Sequence, residues 1–153
     1  MQAWRIADAR YWDDRVGTGA ILCGGRWNNA GSAALYLSLS AATCALEVFA
    51  HVANCDAQKR ILARFCLPDD PSLYWRPAIG ELPQGWDQLP YSGASMDFGS
   101  RWLASRSQLG LIVPSVLMPE TDNLLLNPNH PAMAGVSIER VRDFSFDPRF
   151  WKN

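Results

Sequence analysis

One segment restricts the possible folds of this chain more than any other. Residues 41–53 are apolar on nearly every side when they are placed on a helix. Ser40 can cap the N-terminus of such a helix. The apolar residues that recur at helical spacing are Ala42, Ala45, Leu46, Phe49 and Ala53. We therefore predict a helix over residues 40–54 that the rest of the protein buries.

Glu47 is the only acid in this segment. A carboxylate is rarely buried unless it is paired or takes part in chemistry, so Glu47 is the first candidate for a functional residue. The alternative is a narrow polar strip on the helix surface, in which His51 lies one turn later and pairs with Glu47. The helical pattern alone leaves both interpretations open.

The rest of the chain indicates strands with few helices among them. We predict a second helix over residues 96–107, a mobile loop over residues 17–25 that contains a short apolar piece, and an irregular segment over residues 68–90. The predicted strands are residues 3–7, 34–38, 60–67, 123–127 and 136–146, together with an apolar run at 109–118 that Pro114-Ser115 interrupts. Because strands and helices do not alternate regularly, the sequence favours a compact α+β fold with an antiparallel or mixed sheet.

The composition suits one folded domain. The chain has 153 residues, of which 48% are hydrophobic and 19% are charged, so we treat residues 1–153 as a single domain with one core. The formal net charge is −1 and the 14 basic residues are scattered, so we expect any contact with DNA to come through another chain. Seven tryptophans exceed the needs of a minimal core and suit the walls of a flat ligand's site or a partner surface.

The cysteines do not form a metal-binding pattern. Cys23, Cys44, Cys55 and Cys66 include no Cys-x-x-Cys pair and no histidine at zinc-site spacing. We interpret all four as buried thiols and expect neither a metal site nor disulfides. The sequence begins without a charged-then-apolar leader and holds no apolar run long enough to span a bilayer. We therefore expect a cytoplasmic protein with no membrane contact.

Three further residues stand out by their surroundings. Arg26 follows Gly24 and Gly25, which allow close approach of the backbone to a ligand, and its guanidinium suits a phosphate; the alternative is an ordinary turn residue. Tyr36 could stack on a flat ring, although a strand tyrosine usually belongs to the core. Ser115 follows a proline in an apolar run, so its hydroxyl needs either a ligand or a structural partner.

Taken in chain order, these residues resemble the RES-domain family, which is named for an arginine, a glutamate and a serine. The matching pieces are Gly24-Gly25-Arg26-Trp27-Asn28 with Gly31, Ala34-Leu35-Tyr36, Ala45-Leu46-Glu47 with His51, Val113-Pro114-Ser115 and Asn127-Pro128-Asn129-His130-Pro131. Each piece alone is weak, but their joint order over most of the chain is hard to obtain by chance.

The resemblance implies a fold similar to that of ADP-ribosyltransferases, with a split sheet, and an activity that destroys cellular NAD. It assigns the functional roles to Arg26, Tyr36, Glu47 and Ser115, with NAD+ as a substrate and no prosthetic group. It also implies a toxin that an Xre-like helix-turn-helix antitoxin neutralises by blocking the active site. Contact with DNA would then come only through the antitoxin, in a higher-order toxin–antitoxin oligomer.

The chemistry of these side chains suggests their roles. Breaking the nicotinamide–ribose bond develops positive charge on the ribose, which Glu47 would offset while it orients the ribose hydroxyls. Arg26 would bind a phosphate of NAD, and Tyr36 would stack on the nicotinamide ring. Ser115 would form a hydrogen bond with the ligand near the reacting end.

Three functions stay open at this point. The first is cleavage of NAD+ with water or phosphate as acceptor, which would arrest growth, and the second is ADP-ribosyl transfer to a specific protein. The third is a non-catalytic binding module in which the tryptophans and residues 68–90 form the partner surface. Asn28 and Asn127 are further candidates for polar contacts with NAD, although Asn127 also suits a turn.

Overall fold

The computed structural model describes residues 1–52 and 58–151. Within them, one sheet contains β1 (Gln2–Asp8), β2 (Leu35–Ser38), β3 (Arg60–Cys66), β4 (Tyr74–Trp75), β5 (Gly110–Pro114), β6 (Asp122–Leu126) and β7 (Ser137–Phe144). The strand order is β4-β5-β6-β2-β1-β3-β7, and all neighbours are antiparallel except β4 and β5. The helices are α1 (Thr18–Cys23), α2 (Ala41–Phe49) and α3 (Gly93–Ser105). The predicted α+β class with a mixed sheet is confirmed.

The sheet is nearly divided between β1 and β2. These two strands pair only at Trp4 and Ser38, whereas β1 pairs with β3 along its whole length, Gln2–Asp8. We call the junction at Trp4 and Ser38 the seam. Helix α2 begins just after β2 and packs on β1, β2 and β6, so it lies over the seam. This is a split-sheet arrangement.

The two faces of the sheet carry different cores. Along β6, Leu124 and Leu126 join one cluster, which the short Pro131–Gly135 turn helps to cover, and Leu125 joins another cluster against α3. Because side chains alternate along a strand, Asn123 lies on the same face as Leu125. That face also carries α2, so the two longer helices lie on the same side of the sheet, α2 over the seam and α3 against β5 and β6.

The prediction of a loop over residues 17–25 is wrong at its centre, because Thr18–Cys23 forms α1. Gly17 precedes the helix with a φ of 80°, and Gly24 follows it with a φ of 69°. Asp14 accepts hydrogen bonds from the backbone N–H groups of residues 16–18 and so supports the start of α1. The glycines that suggested a loop instead mark the two ends of a short helix.

Helix α2 is shorter and less buried than predicted. It ends at Phe49, and residues 53 and 54 of the predicted helix lie outside the described residues. Only Thr43 and Cys44 are fully buried, while most other side chains are half-buried. The helix packs on the sheet with one side only, so the prediction of burial on every side is wrong.

The remaining predicted elements form close to their predicted ends. Helix α3 begins at Gly93 rather than at residue 96, because the Ser92 hydroxyl accepts the hydrogen bond that caps it. The apolar run at residues 109–118 is a strand only as far as Pro114. The segment at residues 68–90 is mostly irregular, but it also contributes β4 at one edge of the sheet.

The cysteines differ in their exposure. Cys44 is buried as predicted, but Cys23 is exposed and Cys66 is half-buried, because these two lie at the ends of α1 and β3. Cys55 lies outside the described residues. In the described part of the chain, none of the helices has the length and apolar character needed to cross a membrane.

Candidate active site

Helix α2 carries Glu47 to the seam. Its Oε1 atom accepts a hydrogen bond from Ser115 Oγ at 2.8 Å and another from Asn123 Nδ2 at 2.5 Å. Both bonds fall on Oε1, so Oε2 has no hydrogen-bond donor within the described residues. The carboxylate is therefore fixed through one oxygen, and the other remains available to a ligand.

His51 is not the partner of this carboxylate. Its Nδ1 atom lies 2.8 Å from the main-chain carbonyl oxygen of Glu47, so the imidazole bonds to the helix backbone. The alternative of a Glu47–His51 side-chain pair on a polar strip is wrong. Sequence spacing placed the two residues on one side of the helix, but the carboxylate turns toward the sheet.

Arg26 is anchored by main-chain carbonyl groups from a distant loop. Its Nη1 atom donates to the carbonyl oxygens of Trp86 at 2.7 Å and Gln88 at 2.9 Å. The guanidinium also lies 5.6 Å from the centre of the Tyr91 ring, which is a cation–π contact. Among the described residues these contacts leave Nε and Nη2 without an acceptor, so a fork of two donors remains for an anion.

Electrostatics links Arg26 with Glu47. Burial lowers the pKa of Arg26, and the negative charge of Glu47 acts in the opposite direction. An arginine stays protonated at neutral pH in either case, so Arg26 contributes a fixed positive charge to the site that contains the Glu47 carboxylate.

Tyr36 lies on β2 with its hydroxyl fixed and its ring 38% exposed. The hydroxyl donates to Asn28 Oδ1 at 2.7 Å and accepts from the Trp27 backbone N–H at 3.0 Å. Desolvation raises the pKa of Tyr36, which keeps the hydroxyl neutral. A Cβ atom at Gly25 would lie 2.6 Å from this hydroxyl, so the second glycine of the turn is required by the tyrosine. The interpretation of Tyr36 as an ordinary core residue is wrong.

These three residues line one cavity of about 820 Å³. Arg26, Tyr36 and Glu47 contribute to its wall together with Trp27, Tyr91 and Asn123. Its volume falls in the range of pockets that enclose a small organic ligand. The arrangement places a carboxylate, an arginine fork and an aromatic face around a shared space.

Ser115 lies behind the cavity rather than in its wall. It is 0% exposed, donates to Glu47 and accepts from the backbone N–H groups of Leu117 at 3.2 Å and Met118 at 3.1 Å. The expected contact between Ser115 and a ligand does not fit this position. Its hydroxyl instead satisfies the turn after β5 and orients Glu47.

Asn28 and Asn127 are structural in this fold. Asn28 is 0% exposed, and its Nδ2 atom donates to the main-chain oxygens of Ala20, Asn29 and Ser32. Asn127 is 1% exposed and donates to the Leu103 carbonyl oxygen at 2.8 Å. Neither lines the cavity, so the predicted contacts with a ligand do not fit their positions.

Sequence reasoning missed Asn123 and Tyr91. Asn123 falls in the predicted strand at residues 123–127, but no functional role was predicted for it; it lies inside β6 and bonds to Glu47. Tyr91 lies in the irregular segment before α3 and contacts Arg26. Neither residue has a local signal, because each acquires its role through a contact that is distant in sequence.

Two of the seven tryptophans, Trp27 and Trp102, are buried, and the other five are half-buried. None of the seven is exposed, and Trp27 stacks on Trp86 with ring centres 6.3 Å apart. No cluster of three or more metal-ligating side chains occurs within residues 1–52 and 58–151.

Fold and site together define a class of protein. It is an α+β domain with a split mixed sheet, and its cavity combines a carboxylate fixed at the seam with an arginine fixed by the loop at Trp86 and Gln88. Comparison with known proteins gives the family within this class.

The chain belongs to the RES-domain family, whose model matches residues 2–148. It is 42% identical over 151 residues to the Prs ADP-ribosylating toxin of a Sphingobium species, covering 95% of this chain and 94% of that one. It is 37% identical to Toxin Res of Yersinia enterocolitica, covering 97% and 99% of the two chains.

A solved structure supports the fold. The chain is similar to a protein in the crystal structure of the M. tuberculosis MbcT–MbcA toxin–antitoxin complex, with a TM-score of 0.66 and 20% identity. The match covers 98% of this chain and 86% of the other. At this identity the similarity concerns the fold alone.

Proposed function

We propose that this protein is a cytoplasmic toxin that cleaves the nicotinamide–ribose bond of NAD+, with water or phosphate as acceptor, and so arrests growth. The observation that carries the proposal is the shared cavity of Glu47, Arg26 and Tyr36. Membership of the RES family and relatives named as toxins support it. NAD+ is the substrate in this account, and the protein needs no prosthetic group.

Glu47 would act on the ribose. As the bond between ribose C1′ and the nicotinamide nitrogen breaks, its electron pair moves to the nitrogen and neutral nicotinamide leaves. Positive charge then develops on the ribose, and the ionised carboxylate stabilises it. Water attacks C1′ and loses a proton to solvent, which gives ADP-ribose, or phosphate attacks and gives the phosphorylated product. The open Oε2 atom suits a hydrogen bond from a ribose hydroxyl.

Arg26 and Tyr36 would hold the rest of the nucleotide. The Nε and Nη2 donors of Arg26 match the geometry of a phosphate, and the carbonyl contacts on Nη1 fix their direction before the ligand arrives. The exposed face of the Tyr36 ring suits stacking on nicotinamide. Ser115 would act as a positioning residue for Glu47, not as a contact with NAD.

A mass-spectrometric time course of NAD+ with the purified protein, with and without phosphate, tests the proposal. We expect nicotinamide to appear as NAD+ disappears, with the second product showing the acceptor. Glu47→Gln should lower turnover by roughly 10²–10³-fold, because the charge is lost while the shape is kept. Glu120→Gln, at an exposed acid beyond the cavity, is the matched control and should keep full activity. Full activity of Glu47→Gln would contradict the role of the carboxylate.

A second function is ADP-ribosyl transfer to a specific protein. The 42% identical relative is named an ADP-ribosylating toxin, and the same bond in NAD+ breaks in both reactions. NAD+ labelled in its adenosine part separates them. Label on a polypeptide supports transfer, and free labelled ADP-ribose or its phosphate supports glycohydrolysis or phosphorolysis.

An antitoxin would be the partner. Leu89, Tyr91 and Leu117 line the cavity and are 75%, 42% and 38% exposed, so its mouth has an apolar rim. Such a rim suits a protein that covers the site. We propose an Xre-like helix-turn-helix antitoxin that occludes the cavity, binds DNA on behalf of the complex and assembles with the toxin into a larger oligomer.

Expression without a partner separates a toxin from a non-catalytic binding module. A catalytic toxin should stop bacterial growth and lower cellular NAD, and Glu47→Gln should relieve both effects. Normal growth and normal NAD with the parent protein, at the same protein level, would favour the binding module.

A further inference from the structure

Two hydrogen bonds in series, which we call the relay, connect Ser38 on the sheet with Glu47. Ser38 Oγ donates to Asn123 Oδ1 at 2.6 Å, and Asn123 Nδ2 donates to Glu47 Oε1 at 2.5 Å. Ser38 is 3% exposed, so its hydroxyl has little access to water. The relay therefore links a buried hydroxyl to the carboxylate through one amide.

Strand register explains why these groups meet. Ser38 and Asn123 are directly opposed partners in the β2–β6 ladder, so their side chains lie on the same face of the sheet. Ser38 is also the residue of β2 that pairs with Trp4 at the seam. The relay consequently starts at the one point where the two halves of the sheet join.

Hydrogen-bond chemistry fixes the direction of the amide. An ionised carboxylate only accepts hydrogen bonds, so the NH₂ group of Asn123 must face Glu47 and its carbonyl oxygen must face away. The Ser38 hydroxyl can donate to that oxygen in this orientation only. The carboxylate of Glu47 thus disfavours the flipped amide, in which oxygen would face oxygen. The hydrogen bond from Ser38 holds the Asn123 amide in the position from which it meets the carboxylate.

We infer that Asn123 is a positioning residue for Glu47 and that Ser38 acts through it by fixing its amide. With Ser115 on the same oxygen, the relay directs the second carboxylate oxygen, Oε2, toward the cavity. This inference rests on the proposed function where it concerns rate. The hydrogen bonds themselves can be tested without NAD.

A double-mutant cycle tests the action through Asn123. Asn123→Ala should lower kcat for NAD+ cleavage by roughly 10²-fold with a smaller change in KM, because misplacement of a catalytic group acts mainly on the chemical step. Ser38→Ala should lower kcat by a smaller factor. The double variant should be no slower than Asn123→Ala alone. If kcat of the double variant falls by the product of the two single losses, the two residues act independently and the relay is contradicted. An unchanged kcat in Asn123→Ala would contradict it as well.

Thr43→Val is the matched control. The Thr43 hydroxyl is also buried on α2 and donates to Thr121 Oγ1 at 3.0 Å, but it does not touch Glu47. This variant should keep the parent kcat even if its thermal stability falls. A loss of kcat equal to that of Asn123→Ala would show that any buried hydrogen bond under α2 has this effect, and the inference would fail.

The side-chain amide signals of Asn123 in a ¹⁵N–¹H NMR spectrum provide a readout that needs no activity. We expect one amide proton shifted downfield and exchanging about tenfold more slowly than those of exposed Asn129. Ser38→Ala should speed this exchange, and Glu47→Gln should move the proton upfield. Signals like those of Asn129 in the parent would overturn the inference. If the signals behave as expected but NAD+ is not cleaved, the proposed function fails and the positioning of Glu47 stands.

Discussion

Ser115 shows how a buried residue can serve the site without reaching the cavity. Its hydroxyl donates to Glu47 and accepts from two backbone N–H groups of the turn after β5. Because both acceptor positions of the hydroxyl are used by these N–H groups, its single hydrogen is donated to the Glu47 carboxylate. Glu47, Ser115 and Asn123 form a small preorganised group, which holds a charge at the seam before any ligand binds.

Arg26→Lys tests the fork of donors at the other end of the site. A lysine ammonium is a single point charge and cannot contact two carbonyl groups while it offers two parallel donors to a phosphate. We expect KM for NAD+ to rise by about 10-fold to 100-fold and kcat to change less. Steady-state kinetics measures both values. An unchanged KM would show that Arg26 does not bind the substrate.

Gly25→Ala tests the contact between Tyr36 and the turn at residues 24–28, which we call the glycine turn. The new methyl group would lie 2.6 Å from the tyrosine hydroxyl, which must then move away from Trp27 and Asn28. We expect a loss of about 1–3 kcal/mol in the free energy of unfolding, together with lower activity.

Gly19→Ala is the control for this substitution. Nothing lies within 4 Å of a Cβ atom at Gly19, and alanine favours a helix over glycine. Chemical denaturation should show a stability equal to the parent or higher. Equal stability of the Gly25→Ala and Gly19→Ala proteins would contradict the proposed packing.

At the level of elements, α3 is fixed to the glycine turn by direct backbone packing. Gly99 lies against the Trp27 main chain, where a Cβ atom would collide with the carbonyl group. The Asn29 backbone N–H also donates to Ser100 Oγ at 2.8 Å. The segment that carries Arg26 is thus supported by α3 on one side and by Tyr36 of β2 on the other.

Gly99→Ala should therefore destabilise the protein through this contact. We expect a loss of about 2–3 kcal/mol, because neither backbone can move without disturbing its own element. The melting temperature should fall by roughly 5–10 °C. Gly93→Ala, at the first residue of α3 with no atoms within 4 Å of its Cβ position, should change it little. A similar melting temperature for both variants would refute this packing.

The sequence predicted the candidates whose signal is local. Glu47 stood out against an apolar helix, and Arg26 stood out after two glycines. Asn123 could not be found in this way, because its role depends on the β2–β6 register that sets it opposite Ser38. For Ser115 the alternative of a structural partner fits and the ligand contact does not, since the position of α2 over the seam decides that its hydroxyl meets Glu47.

Helix α2 shows the same limit at the level of the fold. Its apolar sequence predicted burial by the rest of the protein, but the structure turns one side, with Cys44 and Val48, toward the sheet and the cavity and leaves Ala42 exposed. An apolar pattern reports which side chains tolerate burial, and it does not report how much space the neighbouring elements fill. The cavity is a property of the assembled elements and has no counterpart in any single segment.

At the scale of the whole molecule, the split sheet accounts for the position of the site. The two halves of the sheet join at Trp4 and Ser38, α2 crosses this seam, and the cavity lies on the same face. The charged groups come from a helix and from a turn that are distant in sequence. Their shared cavity is the central claim, because every step of the proposed reaction requires both groups around one ligand.

A crystal structure of Glu47→Gln with NAD+ tests this claim most directly, since slow turnover should preserve the bound substrate. We expect the nicotinamide ribose within hydrogen-bond distance of the side chain at position 47, a phosphate on Nε and Nη2 of Arg26, and the nicotinamide ring against Tyr36. NAD+ bound elsewhere, or absent from the cavity at saturating concentration, would contradict the account.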